Sequence, residues 1–147
     1  MFADLIRRMT APAPQILPDP DARLALGALL VRIARTNGDY DPAQIVQIDH
    51  TLMTRFALTE AEAADLRADC EILESEAPDT VRLTRAIKNA VEYDDRLAVI
   101  EALWRVALAD GIRDDAETSM MRMTTSLLGV SDQDSNAARL RVGLGSA

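Results

Sequence analysis

Four carboxylates fall within eight residues in the second half of the chain, around a single glycine. These residues are Asp110, Asp114, Asp115 and Glu117, with Gly111 at the turn and Arg113 as the nearby cation. Carboxylate oxygens suit a hard cation such as Ca²⁺ or Mg²⁺, and glycine lets the backbone turn sharply enough to bring Asp110 and Asp114 together. The spacing is not that of an EF-hand. The segment predicts a metal site with Asp110, Asp114 and Glu117 as ligands.

The same residues also have the pattern of a helix start. Asp114 stands three residues before Glu117, the spacing of a capping box, in which both carboxylates accept hydrogen bonds from backbone N–H groups. Gly111 would then end the preceding helix. Capping alone is the favoured interpretation of the residues, because acids at helix starts are common. A cation site and an acidic face for a basic partner remain the alternatives.

A second, less acidic copy of this segment occurs in the first half of the chain. It reads NGDYDPAQ from Asn37 to Gln44, where the second half reads DGIRDDAE from Asp110 to Glu117. Two carboxylates have become amides, whose carbonyl oxygens can still bind a hard cation. Asn37 and Asp41 therefore form a lesser candidate site.

The elements around these corners are helical. From Asp21 onward every segment has helical periodicity, which predicts helices near 21–36, 42–56, 60–75, 79–91, 94–110, 114–128 and 132–141. Leu24–Ala34 and Leu97–Ala109 are apolar nearly all round and should be the two central helices. The predicted fold is all-α, a compact bundle of about seven helices over residues 21–142. A short N-terminal helix with a proline-rich linker precedes it over 1–20, and a flexible tail follows over 143–147.

The two halves repeat one pattern. Sliding the chain by 73 residues lays Leu24 on Leu97, Arg32 on Arg105 and Gly38 on Gly111. One residue of slippage then lays the turn FALTE, from Phe56, on LGVSD, from Leu128. Each half is predicted to be a three-helix unit, and two such units can bury their apolar faces against each other.

These residues resemble the tellurite-resistance protein B (TerB-like) family, whose domain also forms the N-terminal part of a membrane-anchored DnaJ-type cochaperone. The resemblance covers Leu24–Leu140 and is strongest over EALWRVALADG, from Glu101 to Gly111. It implies an all-helical fold with acidic corners proposed to bind metal, in proteins linked to tellurite or stress responses and to membrane-associated assemblies. His50 is followed by Thr51, so the His-Pro-Asp tripeptide of a J domain is missing.

Composition limits the range of partners. The formal net charge of −8 disfavours nucleic acid and anionic membranes. No segment reads as a signal peptide or a transmembrane span, so a cytoplasmic protein is predicted, either free or peripheral to the inner face of the membrane. Phosphate-loop, dinucleotide, zinc-protease and cysteine-pair motifs are missing, which favours a binding module over an enzyme. Its partner would be an unknown protein at the acidic corner; the alternative is a scaffold, such as a homodimer, whose corners only cap helices.

Four kinds of side chain have plainer interpretations. Trp104 and the methionines Met120, Met121 and Met123 are predicted to lie in the core, Cys70 to be buried and inert, and His50 to be solvated.

Overall fold

The computed structural model describes residues 2–10, 19–36, 38–76, 79–109, 111 and 115–145. Within these ranges the chain forms helices and no strand, which confirms the all-α prediction. The helices are α1 (Ala3–Met9), α2 (Asp19–Arg35), α3 (Pro42–Phe56), α4 (Glu60–Glu76), α5 (Thr80–Ala90), α6 (Tyr93–Ala107), α7 (Asp115–Leu127) and α8 (Asp132–Gly145).

All seven predicted bundle helices are present, with ends that differ by a few residues. The largest difference is in α8, which continues to Gly145 rather than ending at 141. Val142 is buried, so packing of the last turn favours the longer helix over its weak sequence signal. Helix α2 begins at Asp19, inside the segment expected to be linker, and the linker residues 11–18 lie outside the described ranges.

Helices α2 and α6 form the centre of the bundle, as the apolar runs predicted. Both are buried on several sides, through Ala25, Leu29, Leu30, Ile33 and Ala34 of α2 and Val99, Ile100, Leu103, Val106 and Ala107 of α6. Helices α3 and α4 pack around α2 in the same way that α7 and α8 pack around α6. Helix α3 also reaches α6, and α7 reaches α2, so the two three-helix units share one core. Helix α5 lies outside the repeat and packs on α2 and α7.

The predicted register of the repeat is visible in the backbone of the first turn of each half. The amide of Gly38 donates to the carbonyl of Arg35 at 2.9 Å, and the amide of Gly111 donates to that of Leu108 at 3.0 Å. Both glycines have positive φ, +86° and +76°, which a side chain would disfavour. The two central helices therefore end in the same way, at glycines 73 residues apart.

The second turn of each half also repeats, after the one-residue slip. Leu58 N–H donates to the carbonyl of Met53, and Val130 N–H to that of Thr125, both at 3.1 Å. The residue in the left-handed conformation is Ala57 (φ 54°) in the first half and Gly129 (φ 72°) in the second. The first half thus uses an alanine where glycine is the favoured residue.

Replacing Ala57 by Gly is expected to stabilise the protein by about 0.5–1 kcal/mol, because the left-handed strain on alanine exceeds the entropy that glycine adds to the unfolded chain. The reverse change, Gly129→Ala, is expected to destabilise it. Urea unfolding of both variants measures the two effects. A loss of stability in the Ala57→Gly protein would contradict this assignment of strain.

The predicted short N-terminal helix is present as α1, and it packs on the bundle. Leu5 and Met9 are buried, and α1 contacts α5. The Arg85 guanidinium donates to the carbonyl of Met9 at 2.9 Å, and Arg8 pairs with Asp21 at 2.7 Å. No helix within the described ranges is long and apolar enough to cross a membrane.

Most of the single-residue predictions are confirmed. Trp104 is buried and its indole N–H donates to the hydroxyl of Ser135 at 3.2 Å. Cys70 is buried, and desolvation raises the pKa of its thiol to about 12, which keeps the thiolate scarce. His50 is exposed. Met121 is buried and Met120 packs against the core, but the prediction for Met123 is wrong: it is 42% exposed, because it lies on the outer face of α7.

Candidate functional site

The last residues of the two acidic segments, Gln44 at the start of α3 and Glu117 at the start of α7, meet in the structure. Of the five predicted ligands, Asp41 and Glu117 lie in the described residues, whereas Asn37, Asp110 and Asp114 lie outside them. Glu117 is in the first turn of α7, and its equivalent in the repeat, Gln44, is in the first turn of α3.

Gln44 and Glu117 contact each other directly. The Gln44 side-chain Nε2 donates to Glu117 Oε2 at 2.9 Å and lies 3.3 Å from the carbonyl oxygen of Val106 in α6. Both side chains are buried, with exposed fractions of 0% for Gln44 and 2% for Glu117. Two residues 73 positions apart thus form a polar contact in the core, where the two halves join.

The surroundings of Gln44 fix the orientation of its amide. Its Oε1 accepts the backbone N–H of Asp41 at 3.1 Å, and its Nε2 faces the two oxygen acceptors. A flipped amide would place oxygen against oxygen on that side. Gln44 therefore offers Glu117 a hydrogen-bond donor, and its carbonyl oxygen is used by the cap rather than directed at a cation.

Two local interactions stabilise the Glu117 side chain in this buried place. The N-terminal end of a helix carries a partial positive charge, and Glu117 lies in the first turn of α7 beside the first turn of α3. The Gln44 amide adds a hydrogen bond to Glu117 Oε2. Together these interactions offset part of the cost of burying a polar side chain.

Asp41 acts as the N-cap of α3, as its position before Pro42 predicts. Its Oδ1 accepts the backbone N–H of Ala43 at 2.8 Å, and Gln44 completes the capping box. A second capping box joins Thr59 and Glu62, with reciprocal hydrogen bonds of 2.9 and 3.2 Å. At the first corner, capping therefore uses one carboxylate oxygen of Asp41.

A network of side chains that the sequence patterns did not reveal holds the first corner. The hydroxyl of Tyr40 donates to Glu71 Oε2 at 2.5 Å, and Arg67 pairs with Asp49 at 2.6 Å and with Glu71 at 3.2 Å. Burial and this hydrogen bond raise the pKa of the Tyr40 phenol, while Arg35 lies 5.0 Å from the centre of its ring. The spacing of Arg67 and Glu71 along one helix was the available signal.

The second corner has different residues at the equivalent positions. Tyr40 corresponds to Arg113, and Asp49 corresponds to Arg122. Among the described residues of this corner, the exposed acid is Asp115, at the start of α7. Within the described residues no three His, Cys, Asp or Glu side chains are close enough to hold a metal ion. Because Asp110 and Asp114 lie outside those residues, the predicted metal site stays a prediction.

Comparison with known proteins places the fold and its corners in one family. The family model described as tellurite resistance protein TerB matches residues 23–140, which include nearly all of both three-helix units and both corners. No curated protein and no solved structure matched the chain. The matched range agrees with the resemblance drawn from Leu24–Leu140, and it covers most of the 147 residues. The chain belongs to the tellurite resistance protein TerB family.

Proposed function

We propose that this chain is a non-enzymatic, cytoplasmic binding module that binds one divalent cation, Ca²⁺ or Mg²⁺, at its second corner. The observation that supports it best is the buried Glu117 carboxylate at the inner side of that corner. Asp110, Asp114 and Asp115 precede it within eight residues. A cation would offset the mutual repulsion of these four acids, and oxygen ligands suit a hard ion.

The proposed stoichiometry is one cation for each chain. At the first corner the position equivalent to Glu117 is the neutral Gln44, and Asn37 replaces Asp110. Asp41 caps α3, and Tyr40 and Glu71 hold the same loop through their own hydrogen bond. Asn37 and Asp41 therefore make a site of lower negative charge, which we expect to stay empty at the concentration that fills the second corner.

The test is thermal unfolding of chelator-treated protein, followed through Trp104 fluorescence, with and without millimolar Ca²⁺ or Mg²⁺. A ligand that binds only the folded state raises the melting temperature. We expect a rise in the wild-type protein and none in an Asp114→Asn/Glu117→Gln variant. The matched control is Asp39→Asn/Asp41→Asn in the first corner, which should keep the rise.

Asparagine caps a helix about as well as aspartate, but losing negative charge at a helix N-terminus costs about 0.3–1 kcal/mol in either variant, so the shift on adding cation is the quantity to compare. Equal shifts in the two variants would place the cation elsewhere. No shift in the wild-type protein would refute the cation site.

The second candidate function is a scaffold whose acidic residues only cap helices. The capping boxes at Asp41 and Thr59 favour it, because they show that this chain uses such residues as caps. A protein partner at the acidic corner, a homodimer, peripheral attachment to the inner membrane face and a role in tellurite or stress responses also remain proposals. Tellurite tolerance of cells that express wild-type or Asp114→Asn/Glu117→Gln protein tests the last of these.

A further inference from the structure

An open groove runs along the seam between α3 and α6. Two adjoining cavities, of about 430 and 390 Å³, share Gln47, His50 and Arg105 in their walls. Small or apolar side chains line much of the rest: Ala43 and Val46 of α3, Ala98 and Ala102 of α6, Leu108 and Ala109 after it, and Val142 of α8. Val46 is 68% exposed, so it offers the groove an accessible aliphatic side chain.

The internal repeat shows what this groove can hold. In the other half the equivalent seam lies between α7 and α2, and helix α5 packs on both of those helices. Arg32 and Met120 line a cavity at the start of α5, and their equivalents, Arg105 and Gln47, line the open groove. Within the described ranges no helix fills the α3–α6 groove. The fold thus has two equivalent helix-binding grooves, and its own α5 occupies one of them.

The groove that α5 occupies also indicates the direction of a helix in the open groove. Arg32, near the end of α2, reaches the hydroxyl of Thr80 at the start of α5 at 3.4 Å. Leu26 of α2 shares a cavity with Ile87 and Ala90 near the end of α5. Helix α5 is therefore antiparallel to α2. A helix in the equivalent groove would run antiparallel to α6, with its first turn near Arg105.

The open groove is basic, although the whole chain is acidic. Arg55 and Arg105 line it, and Arg141 pairs with Glu101, which is the one carboxylate among the described lining residues. Glu101 pairs with Arg141 at 2.6 Å and reaches Arg105 at 3.8 Å, so one acid is shared by two arginines. Arg105 is 48% exposed. Acidic side chains at the start of a bound helix would complement this charge.

We propose that the α3–α6 groove binds an amphipathic helix of a partner protein. This helix has the position and direction relative to α3 and α6 that α5 has relative to α7 and α2, and it has acidic residues in its first two turns. The apolar face of the bound helix, with small side chains, lies on the alanines of the groove. The acidic side chains of that helix face Arg105 and Arg141. The α5 helix of a second copy fits less well, because its first two turns contain Arg82 and Arg85. The groove adjoins the second corner at Ala109, but no candidate cation ligand lines it, so its test does not depend on the cation site.

The probes are two synthetic peptides of residues 79–91, held helical by a lactam bridge on the solvent face. One has the native sequence, and the other has Arg82→Glu and Arg85→Glu, so that only the charge beside the apolar stripe differs. Each is titrated into the intact ¹⁵N-labelled protein. We expect the acidic peptide to saturate, with chemical-shift changes along α3 and α6, and to bind at least about tenfold more tightly than the native peptide.

Two exposed valines provide matched variants. Val46→Glu in the protein adds a carboxylate inside the groove and is expected to weaken binding of the acidic peptide at least about tenfold. Val81→Glu, on the exposed face of α5, should leave that affinity unchanged. Equal binding of the two peptides, shifts outside the groove, or no saturation at about 1 mM peptide would overturn the proposal. Sedimentation could also show that the protein is a homodimer and that Val46→Glu separates it into monomers. That result would overturn the proposal, because the groove would then bind a second copy of this chain.

Discussion

Replacing Gln44 by Glu is expected to lower the free energy of unfolding by about 3–5 kcal/mol at pH 7, because it puts a second carboxylate against the buried Glu117. The substitution changes neither the size nor the shape of the side chain by much, so packing around it is kept. It removes the donor that now lies 2.9 Å from Glu117 Oε2 and replaces it with a like charge. Urea unfolding of wild-type and variant protein measures the loss.

The pH dependence distinguishes this charge effect from a packing defect. Two carboxylates in contact share a proton, so the pKa of the pair in the folded Gln44→Glu protein rises above the unfolded value of about 4.3. The folded state then binds more protons than the unfolded state, and stability falls as the pH rises through the folded pKa. We expect the variant to approach wild-type stability near pH 4 and to lose it towards neutral pH.

A charge swap is the control for this prediction. The double variant Gln44→Glu/Glu117→Gln again pairs one carboxylate with one amide, so it should recover most of the stability at pH 7. Divalent cation should also recover part of the loss in the single variant, since two adjacent carboxylates are a ligand pair for a hard ion. A Gln44→Glu protein whose stability matched the wild type at all pH values would contradict the role assigned to this contact.

The second large effect is expected at Gly27, where α2 packs tightly against Cys70 of α4. A Cβ at this position would lie 2.2 Å from the Sγ of Cys70 and 3.2 Å from its Cβ. Cys70 is fully buried, so its side chain cannot swing into solvent. The Gly27→Ala protein should therefore lose about 2–3 kcal/mol through overpacking, even though alanine favours a helix.

Gly143 is the matched control, because it is also helical but a Cβ there would meet nothing within 4 Å. Gly143→Ala should stabilise the protein by about 0.5–1 kcal/mol through helix propensity alone. Adding Cys70→Ala to Gly27→Ala should recover part of the loss, since the sulfur is the closest atom. Equal effects of the two glycine substitutions on the free energy of unfolding would contradict this prediction, because helix α4 would then have to shift to accommodate the added Cβ.

The sequence predicted the helices well because their periodicity and end signals are local. Gly38 and Gly111 ended the central helices where expected, and Asp41 capped α3. The contact between Gly27 and Cys70 could not be predicted in this way. Periodicity places Cys70 on the buried face of α4, but it does not say which residue of another helix faces it.

The repeat predicted that Gln44 and Glu117 are equivalent, and the structure adds that they touch. A sequence offset describes an internal symmetry without giving the position of its axis, so it does not tell which equivalent residues meet. The same limit applies to α5. Its apolar residues predict that one face is buried, but not that it occupies one of two equivalent grooves and leaves the other open.

The most direct test of the cation site is calorimetric titration of chelator-treated protein with Ca²⁺ and Mg²⁺. Saturable binding of one equivalent is the expected result, because the second corner combines buried Glu117 with three further acids while the first has Gln44 in its place. Binding of two equivalents would show that the amides of the first corner suffice for a cation. No heat at millimolar cation would contradict the account and leave the acidic residues with capping as their role.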